Sequence, residues 1–253
     1  MRGQNGGMSG LMVAGLGVVM LGTAFLSGIF GMAGGMILMG VLLAVLPLPA
    51  AMALHAVTQM ASNAWRAVLW WKHIRWRPVG FFLVGNFAAL ALWSVFQWVP
   101  EKAVALLFLG LTPFLFRLIP ARVKPNPLKA AHGAAMGSVC MSLMLVSGVS
   151  GPLLDTFFLG GGMERRQIVA TKAVCQVAGH LSKLLYFGAL VSDAAALHPV
   201  MLGVAVAASM AGTTLARRIL EAMTDHQFRT WADRVITVIA LYYLGQGAWL
   251  LAL

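Results

Sequence analysis

Two short stretches carry side chains able to do chemistry in a chain that is otherwise apolar. On a helix, His55, Gln59, Asn63 and Arg66 follow one another at steps of four, four and three, which places them on one face. Lys172, Gln176, His180 and Lys183 repeat that spacing at an offset of 117. Cations and amide donors in a row suit an oxygen-rich anion. The imidazoles of His55 and His180 titrate near neutrality, so either can carry a proton, although a structural hydrogen bond explains His180 equally well. Gln59 and Gln176 fall nearest the centres of their segments and are the leading ligand contacts; their alternative role is to tie helices together by hydrogen bonds. Arg66 and Lys172 lie toward one interface and His55 and Lys183 toward the other, where a long side chain can instead snorkel to water.

Each stripe follows a glycine-rich break. The first reads SGIFGMAGG, Ser27 to Gly35, and the second SGVSGPLLD, Ser147 to Asp155. Short apolar segments come next, at 34–46 and 152–161. At about 1.5 Å per residue they cover roughly 15 to 20 Å of a hydrocarbon core about 30 Å thick, too little to cross it alone. A helix that starts inside the protein presents unpaired N–H groups and a positive dipole end, and a bilayer tolerates such a break only in a protein interior or a wet cavity. The breaks therefore read as paired anion cradles. The plainer alternative is that small residues permit tight helix packing. Asp155, the one acidic residue in a membrane position, is expected to cap the second short helix, with pairing to a lysine or proton carriage as alternatives.

Composition sets the frame for these elements. Of 253 residues, 60% are hydrophobic and 10% charged, where a soluble domain carries about a quarter charged. The chain is thus expected to be an all-α integral membrane protein. Hydropathy separates ten apolar segments, at 11–30, 34–46, 50–71, 79–98, 103–118, 131–148, 152–161, 166–190, 198–216 and 234–252. Eight are full transmembrane helices and two are half-length, re-entrant or broken. The first is read as retained, because no small-residue cleavage site follows it.

Thirteen of the eighteen lysines and arginines fall in four loops, around Lys72 to Arg77, Arg117 to Lys129, Arg165 to Arg166 and Arg217 to Arg234. Placing all four in the cytoplasm puts both termini on the outer, periplasmic side. The net charge of +11 is then membrane-edge charge, with no call for nucleic acid. Tryptophans 93 and 98 at one end and 70, 71 and 76 at the other read as interfacial anchors. Six scattered histidines lack metal-ligand spacing, and Cys140 and Cys175 form no C-x-x-C pair. No metal, cofactor or disulfide is expected. Nor is there a G-K-[ST] phosphate loop or a G-x-S-x-G elbow, so neither ATP-driven transport nor catalysis is expected.

The repetition extends beyond the breaks. PAAMALHAVTQMASNAWR aligns with RQIVATKAVCQVAGHLSK, and Pro78 with Pro199. Five segments per half give two halves of opposite orientation, 1–120 and 131–253, joined by a cytoplasmic linker at 121–130. Inverted repeats of this kind build secondary transporters.

The paired halves of four spans, the break SGIFGMAGG followed by a short helix, and the stripe H-x-x-x-Q-x-x-x-N-x-x-R resemble the sulfite exporter TauE/SafE family of bacterial membrane permeases. The resemblance covers nearly the whole chain. It implies an anion permease of the inner membrane, handling sulfite, sulfonates such as sulfoacetate, or related sulfur compounds. It also implies that Gly28, Gly31, Gly34, Gly35 and Gln59 form one half-site, and Gly148, Gly151 and Gln176 the other. The chain departs from this pattern at Pro152 to Asp155, where the second break loses its glycines. The function expected is a secondary transporter moving a small sulfur-containing anion by alternating access, in a lipid bilayer. Proton coupling and a homodimer are compatible with it. A channel of the same architecture, or a membrane-embedded enzyme or assembly factor holding a lipid or partner helix, is the alternative.

Overall fold

The computed structural model describes residues 9–30, 33–118, 125–159, 162–189, 198–222 and 225–252. Among these residues every regular element is helical: α1 (Gly10–Phe30), α2 (Ala33–Val45), α3 (Leu48–Leu69), α4 (Trp76–Phe96), α5 (Lys102–Arg117), α6 (Ala130–Ser147), α7 (Gly151–Leu159), α8 (Arg165–Gly188), α9 (Pro199–Ala222) and α10 (Asp225–Leu251), with one 3-10 turn at Trp71–His73.

Proline and glycine set several of the boundaries. Pro49 lies in the first turn of α3 and Pro199 opens α9, positions where the missing N–H would have no intrahelical partner. Helix α6 stops at Gly148, whose φ of 83° is left-handed, a conformation glycine adopts without strain. Helices α2 and α7 are 13 and 9 residues long, half-length as expected.

Among the described residues, five helices are long and apolar enough to cross a membrane: Gly10–Ile29, Trp76–Phe96, Ala130–Ser147, Pro199–Arg217 and Arg234–Leu251. Their outer faces expose Val18, Val95, Val238 and Leu241, an arrangement suited to lipid. Helices α3 and α8 have 22 and 24 residues but turn their polar stripes into the protein. Helix α5, at 16 residues, contains Pro113. One boundary differs from expectation. Helices α9 and α10 run on to Ala222 and from Asp225, so the arginine-rich stretch taken for a loop is largely helical. Hydropathy detects only the lipid-compatible part of a helix, and these continue beyond it.

Packing is organised around α3 and α8, which lie side by side and antiparallel. His55 near the start of α3 meets Lys183 near the end of α8, with Nζ 2.8 Å from Nδ1. Two pairs flank them. Helix α1 runs parallel to α9, with Gly17 against Val204 and Gly28 against Ala216. Helix α4 runs parallel to α6, with Gly133 against Phe81 and Trp93 donating to Ser142 Oγ at 2.9 Å. Helices α5 and α10 are antiparallel, Gly110 facing Leu244 and Gly247 facing Leu107. Two side-chain hydrogen bonds stitch the flanks to the centre, each at 2.7 Å: the Ser62 and Thr213 hydroxyls pair, and Asn86 Nδ2 donates to Ser182 Oγ.

The α4–α6 contact shows why the flanks need glycine. A β-carbon at Gly137 would overlap the Phe82 carbonyl and stand 2.8 Å from the Asn86 amide nitrogen, and backbone cannot yield as a side-chain tip can. Gly137→Leu is therefore expected to destabilise the fold by about 1–3 kcal/mol or more. Thermal unfolding in detergent should show it, with the exposed Gly80→Leu (no atom near its β-position) as the control that stays near wild type.

Candidate functional site

The polar stripes of α3 and α8 face each other and are buried almost completely. His55 and Lys183 are 0% exposed, His180 2%, Gln59, Gln176 and Lys172 6%, and Arg66 8%. Arg66, Lys172, His55 and Lys183 thus turn into the protein and do not snorkel.

At one end, His55 joins the two breaks. Its Nε2 lies 2.9 Å from the Gly35 carbonyl oxygen. A carbonyl can only accept, so Nε2 carries the hydrogen and Nδ1 presents a lone pair. Lys183 donates to that Nδ1 and, at 2.9 Å, to the Gly148 carbonyl. That carbonyl belongs to the left-handed residue after α6. His180 stands beside His55, with ring centroids 5.5 Å apart.

At the other end, Lys172 forms an ion pair with Asp155 of α7. The carboxylate also acts electrostatically on the Arg66 guanidinium, while Arg66 Nη1 donates to Asn63 Oδ1 at 3.2 Å. This corrects the expected role of Asp155. It lies one turn inside α7 and neutralises a lysine; it does not cap the helix. A buried ammonium needs a counter-charge far more than a helix start needs a cap. Asn63 also differs from a free ligand contact. Its Nδ2 donates to the Gln59 carbonyl at 2.8 Å, so its side chain bridges its own helix to the guanidinium.

Several polar atoms of the stripes and breaks have no partner. Ser27 Oγ, Gln59 Nε2, Arg66 Nη2, Gln176 Oε1 and His180 Nδ1 are buried and unsatisfied, and Ser150 Oγ lies against the Cys140 thiol. Such orphans are rare, because each costs about 1–3 kcal/mol. All of these but Gln176 Oε1 can donate, His180 Nδ1 in one of its two tautomers. Ser27 and Ser150 border the breaks, but serine is too common in helices for the sequence to single them out. Asn86, whose Oδ1 is also unsatisfied, escaped notice for the same reason.

The glycines divide by role. Gly35 lies against the Gln59 amide, so that a β-carbon there would sit 3.4 Å from Oε1. It offers its carbonyl to His55, as Gly148 does to Lys183. Gly151 is buried and opens α7. Gly28 and Gly34 touch other helices: a β-carbon would meet Ala216 at the first and the Thr23 carbonyl at the second. Gly31 lies outside the described residues.

A family model described as Sulfite exporter TauE/SafE matches residues 7–243. The chain belongs to the sulfite exporter TauE/SafE family. The match spans both breaks and both polar stripes. No curated protein and no solved structure matches the chain. As a TauE/SafE member with five long apolar helices, it is a multi-pass membrane protein of a transporter family, which agrees with a small anion as substrate and with a role other than catalysis.

Proposed function

We propose that this TauE/SafE chain is a secondary transporter that carries sulfite or a small organosulfonate across the inner membrane by alternating access. The observation that carries this reading is the set of buried donors without acceptors on the stripes and the first break, Gln59 Nε2, Arg66 Nη2 and Ser27 Oγ. Arg66, Lys172 and Lys183 are basic and buried on the same two stripes, and among the described residues Asp155 is the carboxylate paired with one of them, Lys172. An oxyanion supplies both the acceptor atoms and the missing negative charge. The Gly151 and Leu153 amides in the first turn of α7 add N–H groups without intrahelical partners, Pro152 between them having no N–H.

Internal symmetry supports the alternating-access part. Exchanging α1–α5 for α6–α10 turns the α1–α9 pair into α6–α4, both parallel and both glycine-packed. It also turns α3–α8 and α5–α10 onto themselves. Self-paired helices that run antiparallel require a two-fold axis across the helix direction, which in a bilayer is an inverted repeat of 1–120 and 131–253. Full burial of the donors fits a carrier that closes around its substrate better than an open channel. On this reading the arginine-rich ends face the cytoplasm and both termini face outward.

The test is uptake into proteoliposomes of sulfite, sulfoacetate, sulfate and a carboxylate of similar size. Saturable uptake of a sulfite or sulfonate is expected. Uptake of none of them, or non-saturating flux of all, would remove the reading.

A further inference from the structure

The contacts at the two ends of the site are repeat-equivalent but chemically unlike. Aligning the breaks pairs Gly35 with Asp155, and aligning the stripes pairs His55 with Lys172 and Arg66 with Lys183. His55 on the Gly35 carbonyl and Lys172 on the Asp155 carboxylate are thus the same contact made twice. A basic residue of the opposite repeat bears on each, Lys183 through a hydrogen bond and Arg66 through charge alone. One end is built from fixed charges. The other is built from an imidazole and an amine that share hydrogen bonds.

Proton counting shows what that difference does. With Nε2–H committed to Gly35, the His55–Lys183 bond needs a lone pair on one side and an N–H on the other. It holds with no charge or with one positive charge on the pair, since a neutral amine still donates and a shared proton can sit on either nitrogen. A second proton would set N–H against N–H and two cations side by side in a buried site. The bridge must then open, and Lys183 is the link between His55 and the Gly148 carbonyl.

Few other groups act there. His180 is the neighbouring titratable side chain on α8. Helices α1 and α2 contain no titratable residue. Those of α4 and α9 lie at their ends (Arg77; Arg217, Arg218 and Glu221). Helix α6 has His132 in its first turn and Cys140 on another face, and α7 has Asp155, engaged by Lys172.

We infer that the His55–Lys183 bridge is a proton latch between the two repeats: closed while the pair carries at most one positive charge, and opened when it takes up a second. The inference rests on the transporter reading only for its consequence, which is that proton uptake frees this end of α3 and α8 to separate and gives access to the anion site.

The first measurement needs no substrate. Hydrogen–deuterium exchange of the wild-type protein, corrected for the intrinsic pH dependence, is compared between about pH 8 and about pH 5, a span that reaches below the free-imidazole range because the second proton must enter beside a cation in a buried site. Peptides covering α2 and the first half of α3 should exchange roughly tenfold faster at the lower pH, a change of about 1.4 kcal/mol in opening. Peptides of α5 and α10 should not follow. Equal protection at both pH values would overturn the latch.

The second is methanesulfonate flux, chosen because its charge is constant over this range. The ratio of flux at the two pH values should exceed unity in wild type and fall to about one in His55→Gln, which keeps a donor and an acceptor but takes no proton. A pH ratio retained in His55→Gln and in Lys183→Gln would also overturn the latch. Absence of any sulfonate flux, with the exchange difference intact, would instead count against the transporter reading alone.

Discussion

Asp155→Ala is expected to unfold the protein at a markedly lower temperature than wild type. The substitution leaves the Lys172 ammonium and the Arg66 guanidinium in the interior with no carboxylate. Stripping one partner from a buried ion pair costs about 3–5 kcal/mol, because the remaining charge is left uncompensated. Partial exposure of Asp155, 25% of its side chain, places the loss at the low end of that range. Thermal unfolding in detergent measures it, and a double-mutant cycle separates charge from packing. Asp155→Leu combined with Lys172→Met should be more stable than Asp155→Leu alone. If the single variant unfolds with wild type, the pair does not neutralise the site and the charge argument fails.

The second large effect concerns transport. Gln59 Nε2 and Gln176 Oε1 occupy equivalent places in the two repeats, and both are buried and unsatisfied. Gln59→Ala removes a donor aimed at the proposed oxyanion, and hydrogen bonds to a charged group are worth about 1.5–3 kcal/mol. Sulfite transport at sub-saturating concentration should fall roughly 10- to 100-fold, with unfolding temperature little changed or raised, since a buried orphan is removed with it. Gln176→Ala should act in the same direction but less strongly. Oε1 is an acceptor that contacts an anion only through a shared proton, as in bisulfite, or after the amide turns. Were the glutamines simple ties between helices, stability would fall and transport would track the folded fraction.

Much of this architecture is written in local sequence. The glycine-rich breaks mark where α1 and α6 end, and the short apolar runs after them become α2 and α7 within one or two residues of the boundaries expected. The step of four, four and three puts His55, Gln59, Asn63 and Arg66 on one buried face, because helical periodicity is a property of the chain alone. Partners across the fold are another matter. His55 and Lys183 are 128 positions apart, and nothing in either stripe says which end of one helix meets which end of the other. The antiparallel crossing decides it. For Asp155, proximity to a helix start suggested a cap, whereas a lysine one helix away takes the carboxylate. Gly28 shows the same limit: its type fits an anion cradle or a tight crossing, and its neighbour, Ala216, is visible only in the packed molecule.

Counterflow of sulfite tests the central claim most directly. Proteoliposomes are loaded with unlabelled sulfite and diluted into a trace of labelled sulfite, and the label inside is followed with time. A carrier whose buried donors hold one anion and open to alternate sides predicts a transient overshoot of label above equilibrium, abolished when Gln59 and Gln176 are both alanine. Label that rises to equilibrium without an overshoot, or an overshoot that survives both substitutions, would contradict the account.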